Sequence, residues 1–206
     1  MNDGFVSRAA GYYTGKLREH GPTHRGVDWN SVESQELRFE QLLRVCEGEP
    51  RVAVNDYGCG YGALVDYLVA AGRPFEYGGY DVSAEMIEAA RTAHAGVAGC
   101  AFTSVRADLA RRAFTIASGI FNVKFEASRD DWWRYVSGVL DDIAAASIQG
   151  FAFNLLTAYS DPDRRRDDLF YAEPEAVLRH CVARFSRRVA LSHDYPLHEF
   201  TVLVRL

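Results

Sequence analysis

One stretch constrains the fold more than any other: Val52-Ala53-Val54-Asn55-Asp56-Tyr57-Gly58-Cys59-Gly60-Tyr61-Gly62. A short apolar run breaks into three alternating glycines. A helical pattern follows in Ala63-Leu64-Val65-Asp66-Tyr67-Leu68-Val69-Ala70. Strand, glycine-rich turn and helix are the first half of a βαβ unit. The glycines let the backbone turn tightly, and they put no Cβ between the main chain and a ligand.

Two ligand classes use such a turn. Gly58, Gly60 and Ala63 satisfy the dinucleotide pattern G-x-G-x-x-G/A. Asp56, Gly58, Gly60 and Gly62 match the acidic pattern D-x-G-x-G-x-G in full. A carboxylate at Asp56 sits badly beside a pyrophosphate, because like charges repel at short range. It sits well beside a ligand carrying a sulfonium and an ammonium. In these residues the chain resembles the class I S-adenosylmethionine-dependent methyltransferases, whose first motif has this form. The resemblance covers about residues 50–206.

The chain has 206 residues, 48% of them hydrophobic and 25% charged, which suits one globular unit with at most a small appendage. A net charge of −5 argues against a nucleic-acid partner, whose binding domains are usually basic. No apolar run approaches the ~18 residues of a membrane span. The N-terminus, Met1-Asn2-Asp3-Gly4-Phe5, lacks a basic n-region and an apolar h-region, so no signal peptide is expected. Cys46, Cys59, Cys100 and Cys181 are widely spaced. Without a C-x-x-C pair they suggest neither a zinc site nor a disulfide framework, but reduced thiols in a cytoplasmic protein. A monomer or homodimer is expected.

Residues 1–30 differ from the rest. They concentrate Tyr12, Tyr13, His20, His24 and Trp29 among glycines, and Gly21-Pro22 breaks any helix there. His20 and His24 have a metal-ligand spacing only on a helix, which that break removes; no metal is expected. Residues 31–47 read as an amphipathic helix, with Asn30 or Ser31 as N-cap and Glu33 near N3. Strands follow at 51–56, 75–81, 101–106, 113–121 and 150–156, with helices at 84–94, after Ser83, and from Asp130 to about 146. Residues 160–168 form a charged loop. A helix at about 174–184 precedes two strands, 186–193 and 198–205. The resulting expectation is an α/β fold: a doubly wound, mostly parallel seven-stranded sheet with a C-terminal antiparallel hairpin and an N-terminal helical lid. The chain divides into a lid or substrate segment, 1–49, and a cofactor domain, 50–206.

In parallel sheets the ligand lies across the carboxyl ends of the strands. Asp81 ends the second strand, 21 residues past Gly60, where an acid accepts hydrogen bonds from ribose hydroxyls. Its alternative is to cap the turn ahead of Ser83. The resemblance implies an adenine contact at Asp108 and the following amide of Leu109; a surface turn is the alternative for Asp108. It also implies that Ala117-Ser118-Gly119 pass the methionine part of the cofactor and face the acceptor. Cofactor contacts are accordingly expected from Asp56, Tyr57, Gly58, Cys59, Gly60, Asp81, Val82, Met86, Asp108, Leu109, Ala117, Ser118 and Gly119. The D/N-P-P-Y/F signature of adenine and amide methylation is absent. Candidates to orient or deprotonate an acceptor are Tyr12, Tyr13, His20 and Asn122, with His24 and His193 behind them. Arg164-Arg165-Arg166 stand among four aspartates and read as a neutralised surface loop.

The activity implied is methyl transfer from S-adenosylmethionine, leaving S-adenosylhomocysteine, to oxygen or nitrogen of a small molecule, of natural-product or surface-glycan type. The alternatives are a non-catalytic S-adenosylmethionine-binding protein and an NAD(P)-dependent oxidoreductase.

Overall fold

The computed structural model describes residues 3–206. Met1 and Asn2, part of the stretch that argued against a signal peptide, lie outside the described residues. Eight strands and six α-helices are present among the described residues. In chain order they are α1 (Asp3–His20), α2 (Val32–Leu43), β1 (Val52–Tyr57), α3 (Ala63–Ala70), β2 (Phe75–Tyr80), α4 (Ala84–Ala93), β3 (Cys100–Thr103), β4 (Arg112–Ala117), α5 (Arg129–Ala145), β5 (Ser147–Thr157), β6 (Tyr171–Ala172), α6 (Pro174–Arg184), β7 (Arg188–Ser192) and β8 (Glu199–Arg205).

The sheet runs β3-β2-β1-β4-β5-β8-β7. The pairs from β3 to β5 are parallel. β8 is antiparallel to both β5 and β7, which forms the terminal hairpin. Alternation along the strands divides the core into two layers. Phe151, Phe153 and Leu155 of β5 join Phe200, Val202 and Val204 of β8 under α5 and α6. On the other face Val52, Val54, Phe114, Ile116, Ala152 and Leu203 meet Phe39, Leu42, Leu64 and Leu68 of α2 and α3. Each fully buried side chain of this size stabilises the fold by about 1.5–3 kcal/mol.

Four expectations need correction. The sheet has eight strands rather than seven. β6 pairs parallel with the C-terminal end of β5 through Leu156 and Thr157, and two residues are too few to leave a period-2 signature. The third strand stops at Thr103 and passes into a 3₁₀ turn at Arg106–Asp108. The fourth stops at Ala117 instead of running to 121, because Gly119 turns the chain at φ 71°. The capping box of α2 is closed by Ser31 and Ser34, with Glu33 only in the first turn.

The two N-terminal helices sit differently. α2 packs into the core. α1 crosses the carboxyl ends of the strands: Phe5 meets Trp132 and Tyr135 of α5 at 5.5 and 5.7 Å between ring centroids. Further along, Thr14 shares a hydrogen bond with Ser83 at 2.7 Å, and Arg18 pairs with Glu85 of α4. No described helix is long and apolar enough to cross a membrane.

Candidate functional site

The glycine turn builds the floor of a cavity at the carboxyl ends of β1, β2 and β4. The amides of Gly58 and Cys59 donate to the Tyr80 carbonyl at 2.7 and 2.9 Å, which locks the turn to the end of β2. The Gly60 amide donates to Asp81 at 2.9 Å, and the Ser83 amide donates to the other Asp81 oxygen at 2.8 Å. Asp81 therefore fixes the turn and the start of α4 together. Burial raises its pKa, and the two amides oppose that rise. Each carboxylate oxygen keeps a second lone pair for a ligand. Gly60 has φ 54°, and a Cβ there would lie 2.8 Å from Val27 Cγ1.

Asp56 lies deeper, 3% exposed. Its Oδ2 accepts the Tyr77 hydroxyl at 3.0 Å. Burial pushes its pKa up to about 7; the Tyr77 hydrogen bond lowers it and the Asp81 charge adds to the rise. One cavity thus holds two carboxylates, one of them poised near neutrality.

The walls come from distant parts of the chain: Ala9 and Tyr13 of α1, Val27 and Trp29 of the following turn, Gln35 and Phe39 of α2, then Tyr61, Tyr80, Val82, Met86, Ser118, Gly119, Ile120 and Tyr135. The cavity is open to solvent, and with its mouth included it encloses an empty volume of about 880 Å³. None of the described lining residues is Lys, Arg or His. Aromatic faces and uncompensated carboxylates suit a cationic ligand. They do not suit a polyphosphate.

A roof closes over this floor. Asp28, at φ 63°, accepts the Tyr12 hydroxyl at 2.7 Å and pairs with Lys16 at 2.9 Å. Tyr12 and Tyr13 contact edge-to-face at 5.1 Å. Tyr13 lines the main cavity. Tyr12 instead lines a second, open cavity with Arg8, Gly11, Lys124, Phe125, Glu126, Asp167 and Asp168. Burial raises the Tyr13 pKa well above its usual value, helped by the charges of Asp28, Tyr12 and Asp81. It therefore stays a neutral phenol.

Of the residues singled out from sequence, Asp56, Tyr57, Gly58, Cys59, Gly60, Asp81, Val82, Met86, Ser118, Gly119 and Tyr13 come together around the main cavity. The others do not. Asp108 faces solvent in the 3₁₀ turn, since β3 ends early. Leu109 and Ala117 pack in the aromatic core layer beneath. Asn122 is buried, its backbone carbonyl accepting from Phe170 at 2.8 Å. His20, seven residues beyond Tyr13, stands about 10 Å further along the α1 axis and lies beside Glu19 at 3.6 Å. His24 starts the 3₁₀ turn, and His193 packs on Tyr159 and Phe200. Sequence reasoning missed Gln35, Phe39, Tyr61, Tyr80, Ile120 and Tyr135. The apolar ones carry only the signal of core residues. Trp29, expected with the N-terminal segment to help cover the strand ends, also lines the main cavity.

A methyltransferase domain family matches residues 54–138. Rv1506c of Mycobacterium tuberculosis, a protein named as a methyltransferase, is 46% identical over 164 residues, spanning 79% of this chain and 98% of that protein. Magnesium protoporphyrin IX methyltransferase from Synechocystis PCC 6803, solved with bound S-adenosylmethionine, has a TM-score of 0.64 at 15% identity, covering 97% of this chain and 96% of its own. The N-methyltransferase NodS from Bradyrhizobium japonicum WM9, solved with S-adenosylhomocysteine, has a TM-score of 0.65 at 14% identity, covering 96% and 97%. At these identities the two structures show a shared fold.

Proposed function

Since the chain belongs to the S-adenosylmethionine-dependent class I methyltransferases, we propose that it methylates an oxygen or nitrogen atom of a small-molecule acceptor, with residues 50–206 as the cofactor domain and, of the expected lid segment 1–49, α1 and the turn to Trp29 as the lid, because α2 packs into the core. The observation that carries this reading is the cavity itself: two carboxylates, aromatic walls and, among the described residues, no lining cation at the carboxyl ends of the strands.

S-adenosylmethionine supplies a methyl group already activated by a sulfonium. What remains for the chain is to bind, orient and exclude water. In this reading Asp81 accepts ribose hydroxyls while it holds the Gly60 amide. Asp56, when ionised, offers a counter-charge for the α-ammonium. Gln35 is buried, and its Oε1 faces the Tyr61 hydroxyl at 3.5 Å; its amide nitrogen is left to donate to a carboxylate. Tyr13, held neutral, orients an acceptor by hydrogen bonding rather than acting as a base, because a base needs a pKa near the working pH. The second cavity, one aromatic pair away, supplies an open approach with charges of both signs.

Calorimetric titration with S-adenosylmethionine, S-adenosylhomocysteine and NADH tests the cofactor. A panel of sugar, phenol and amine acceptors, scored by S-adenosylhomocysteine release, tests the transfer. Binding of NADH in place of the adenosyl compounds overturns the reading. Adenosyl binding with no turnover across the panel favours the non-catalytic alternative.

A further inference from the structure

Behind the cavity lies a buried polar ring that the methyl-transfer reading leaves unused. The Trp29 ring carries the Arg38 guanidinium on its face, 3.9 Å from the centroid. Arg38 of α2 is 8% exposed and Glu199, the first residue of β8, is 0% exposed. Arg38 Nε and Nη2 each lie 3.0 Å from Glu199 Oε2, and Nη1 donates to the Ser34 carbonyl at 2.7 Å. The other Glu199 oxygen accepts from Asn154 Nδ2 of β5 at 2.8 Å. Asn154 Oδ1 in turn accepts the Gly119 amide at 2.7 Å. The ring closes through packing: the indole edge of Trp29 fills the space where a side chain on Gly119 would stand. Three elements, α2, β5 and β8, therefore meet at two cavity walls, Trp29 and the Gly119 peptide.

Stability alone does not account for such a device. A buried ion pair is often matched or bettered by apolar residues of the same volume, because desolvation offsets the attraction. What the ring does supply is direction. Within the ring each donor faces one side chain: the Gly119 amide donates to Asn154, the Asn154 amide to Glu199, and Arg38 Nε and Nη2 to Glu199, while Arg38 Nη1 is held by the Ser34 carbonyl. The indole plane and the Gly119 peptide are fixed by the same carboxylate.

We propose that Glu199 is a positioning residue for the cofactor cavity, setting Trp29 through Arg38 and the turn after β4 through Asn154. This rests on the reading of the cavity as an S-adenosylmethionine site. The polarity of the chain makes it testable. In Glu199→Gln, the new amide nitrogen must face either Arg38 or the Asn154 amide, and flipping Asn154 only moves the conflict to the Gly119 amide. One buried donor goes unmet whichever way the amides turn. Adding Asn154→Asp cures this. The new carboxylate on β5 accepts from the Gly119 amide and from the amide nitrogen introduced on β8, whose amide oxygen accepts from Arg38. The ring regains one carboxylate and every hydrogen bond.

The test titrates S-adenosylhomocysteine into wild type, E199Q, N154D and E199Q/N154D, at a temperature where circular dichroism shows each fully folded. Trp29 emission is isolated by difference from W29F. In E199Q, binding weakens by roughly tenfold, as for one unmet buried donor, and Trp29 emission shifts to the red. In the double variant both return, with affinity within about threefold of wild type because the hydrogen bonds are restored. A purely structural role lowers the melting temperature and leaves the affinity of folded protein and the Trp29 spectrum unchanged; that result, or a folded double variant without rescue, overturns the proposal. If E199Q does not fold, Arg38→Lys decides. It keeps a cation against Glu199 but has no planar group to hold Trp29, so weakened binding with a Trp29 shift supports the proposal and wild-type values refute it. Failure of the wild type itself to bind S-adenosylhomocysteine removes the reading on which the proposal rests.

Discussion

Asp56 makes cofactor affinity depend on pH in a way that can be worked out in advance. Its carboxyl titrates at about 7 in the ligand-free protein. A bound α-ammonium selects the ionised form, so binding below that pH must first remove a proton. The penalty factor is one plus ten to the power of pKa minus pH: about 1.1 at pH 8 and about 11 at pH 6, a tenfold weakening worth about 1.4 kcal/mol. The stability of the free protein runs the other way. The folded pKa lies above the unfolded value of about 4, so the Asp56 contribution is fully present below pH ~4 and is lost as pH rises through ~7. Ligand-induced stabilisation should therefore grow from pH 6 to pH 8 while the free protein loses this contribution. The assay is calorimetry with S-adenosylhomocysteine at pH 6, 7 and 8, in two buffers of different ionisation enthalpy to count released protons. Asp56→Asn serves as the reference. The ligand's own amino group titrates equally against both proteins, so it cancels in the ratio of their affinities. The same pH slope in wild type and Asp56→Asn would refute the assignment of Asp56 to the ammonium.

Three further outcomes follow from the geometry. Gly60→Val should abolish S-adenosylhomocysteine binding, since its Cβ would stand 2.8 Å from Val27 at a φ of +54°; wild-type affinity by calorimetry would mean that the turn is not the cradle. Asp81→Ala should weaken S-adenosylmethionine binding by about 1.5–3 kcal/mol, the worth of hydrogen bonds to a charged group, with the far-UV spectrum preserved; unchanged affinity removes Asp81 from the site. Deletion of residues 1–29 should leave a folded protein that binds S-adenosylhomocysteine weakly and has lost methyl transfer to any acceptor found by the panel. Retained turnover with normal acceptor affinity would sink the lid.

The legible part of this site is the part that local chain geometry dictates. The turn after β1 demands glycines whatever surrounds it. Asp81 could be counted to from Gly60, because one βα unit has a nearly fixed length. Gln35, Phe39 and Tyr135 become walls only when α2 and α5 dock, and no local pattern separates a wall from a core residue. Asp108 shows the opposite failure. Its place in a strand count was right, but β3 stops at Thr103 and a 3₁₀ turn carries the side chain to solvent. The apolar Ile120-Phe121 extended the fourth strand on paper; Gly119 ends it in fact.

An arginine can stand behind a cavity proposed to hold a cationic cofactor. Arg38 is the cation nearest to Trp29, and a bare guanidinium there would repel a sulfonium. Glu199 cancels that charge at 3.0 Å in surroundings where screening by water is weak. What reaches the cavity is the plane of the guanidinium, transmitted through the indole, and not its charge. Among the described residues the two carboxylates that face the cavity have no such partner: Asp81 meets only amides and Asp56 only a phenol. The chain thus keeps its neutralised pair one side chain away from the site and its uncompensated charges inside. The cost of that arrangement appears as the raised pKa values of Asp56 and Asp81, and a cationic ligand is what relieves it.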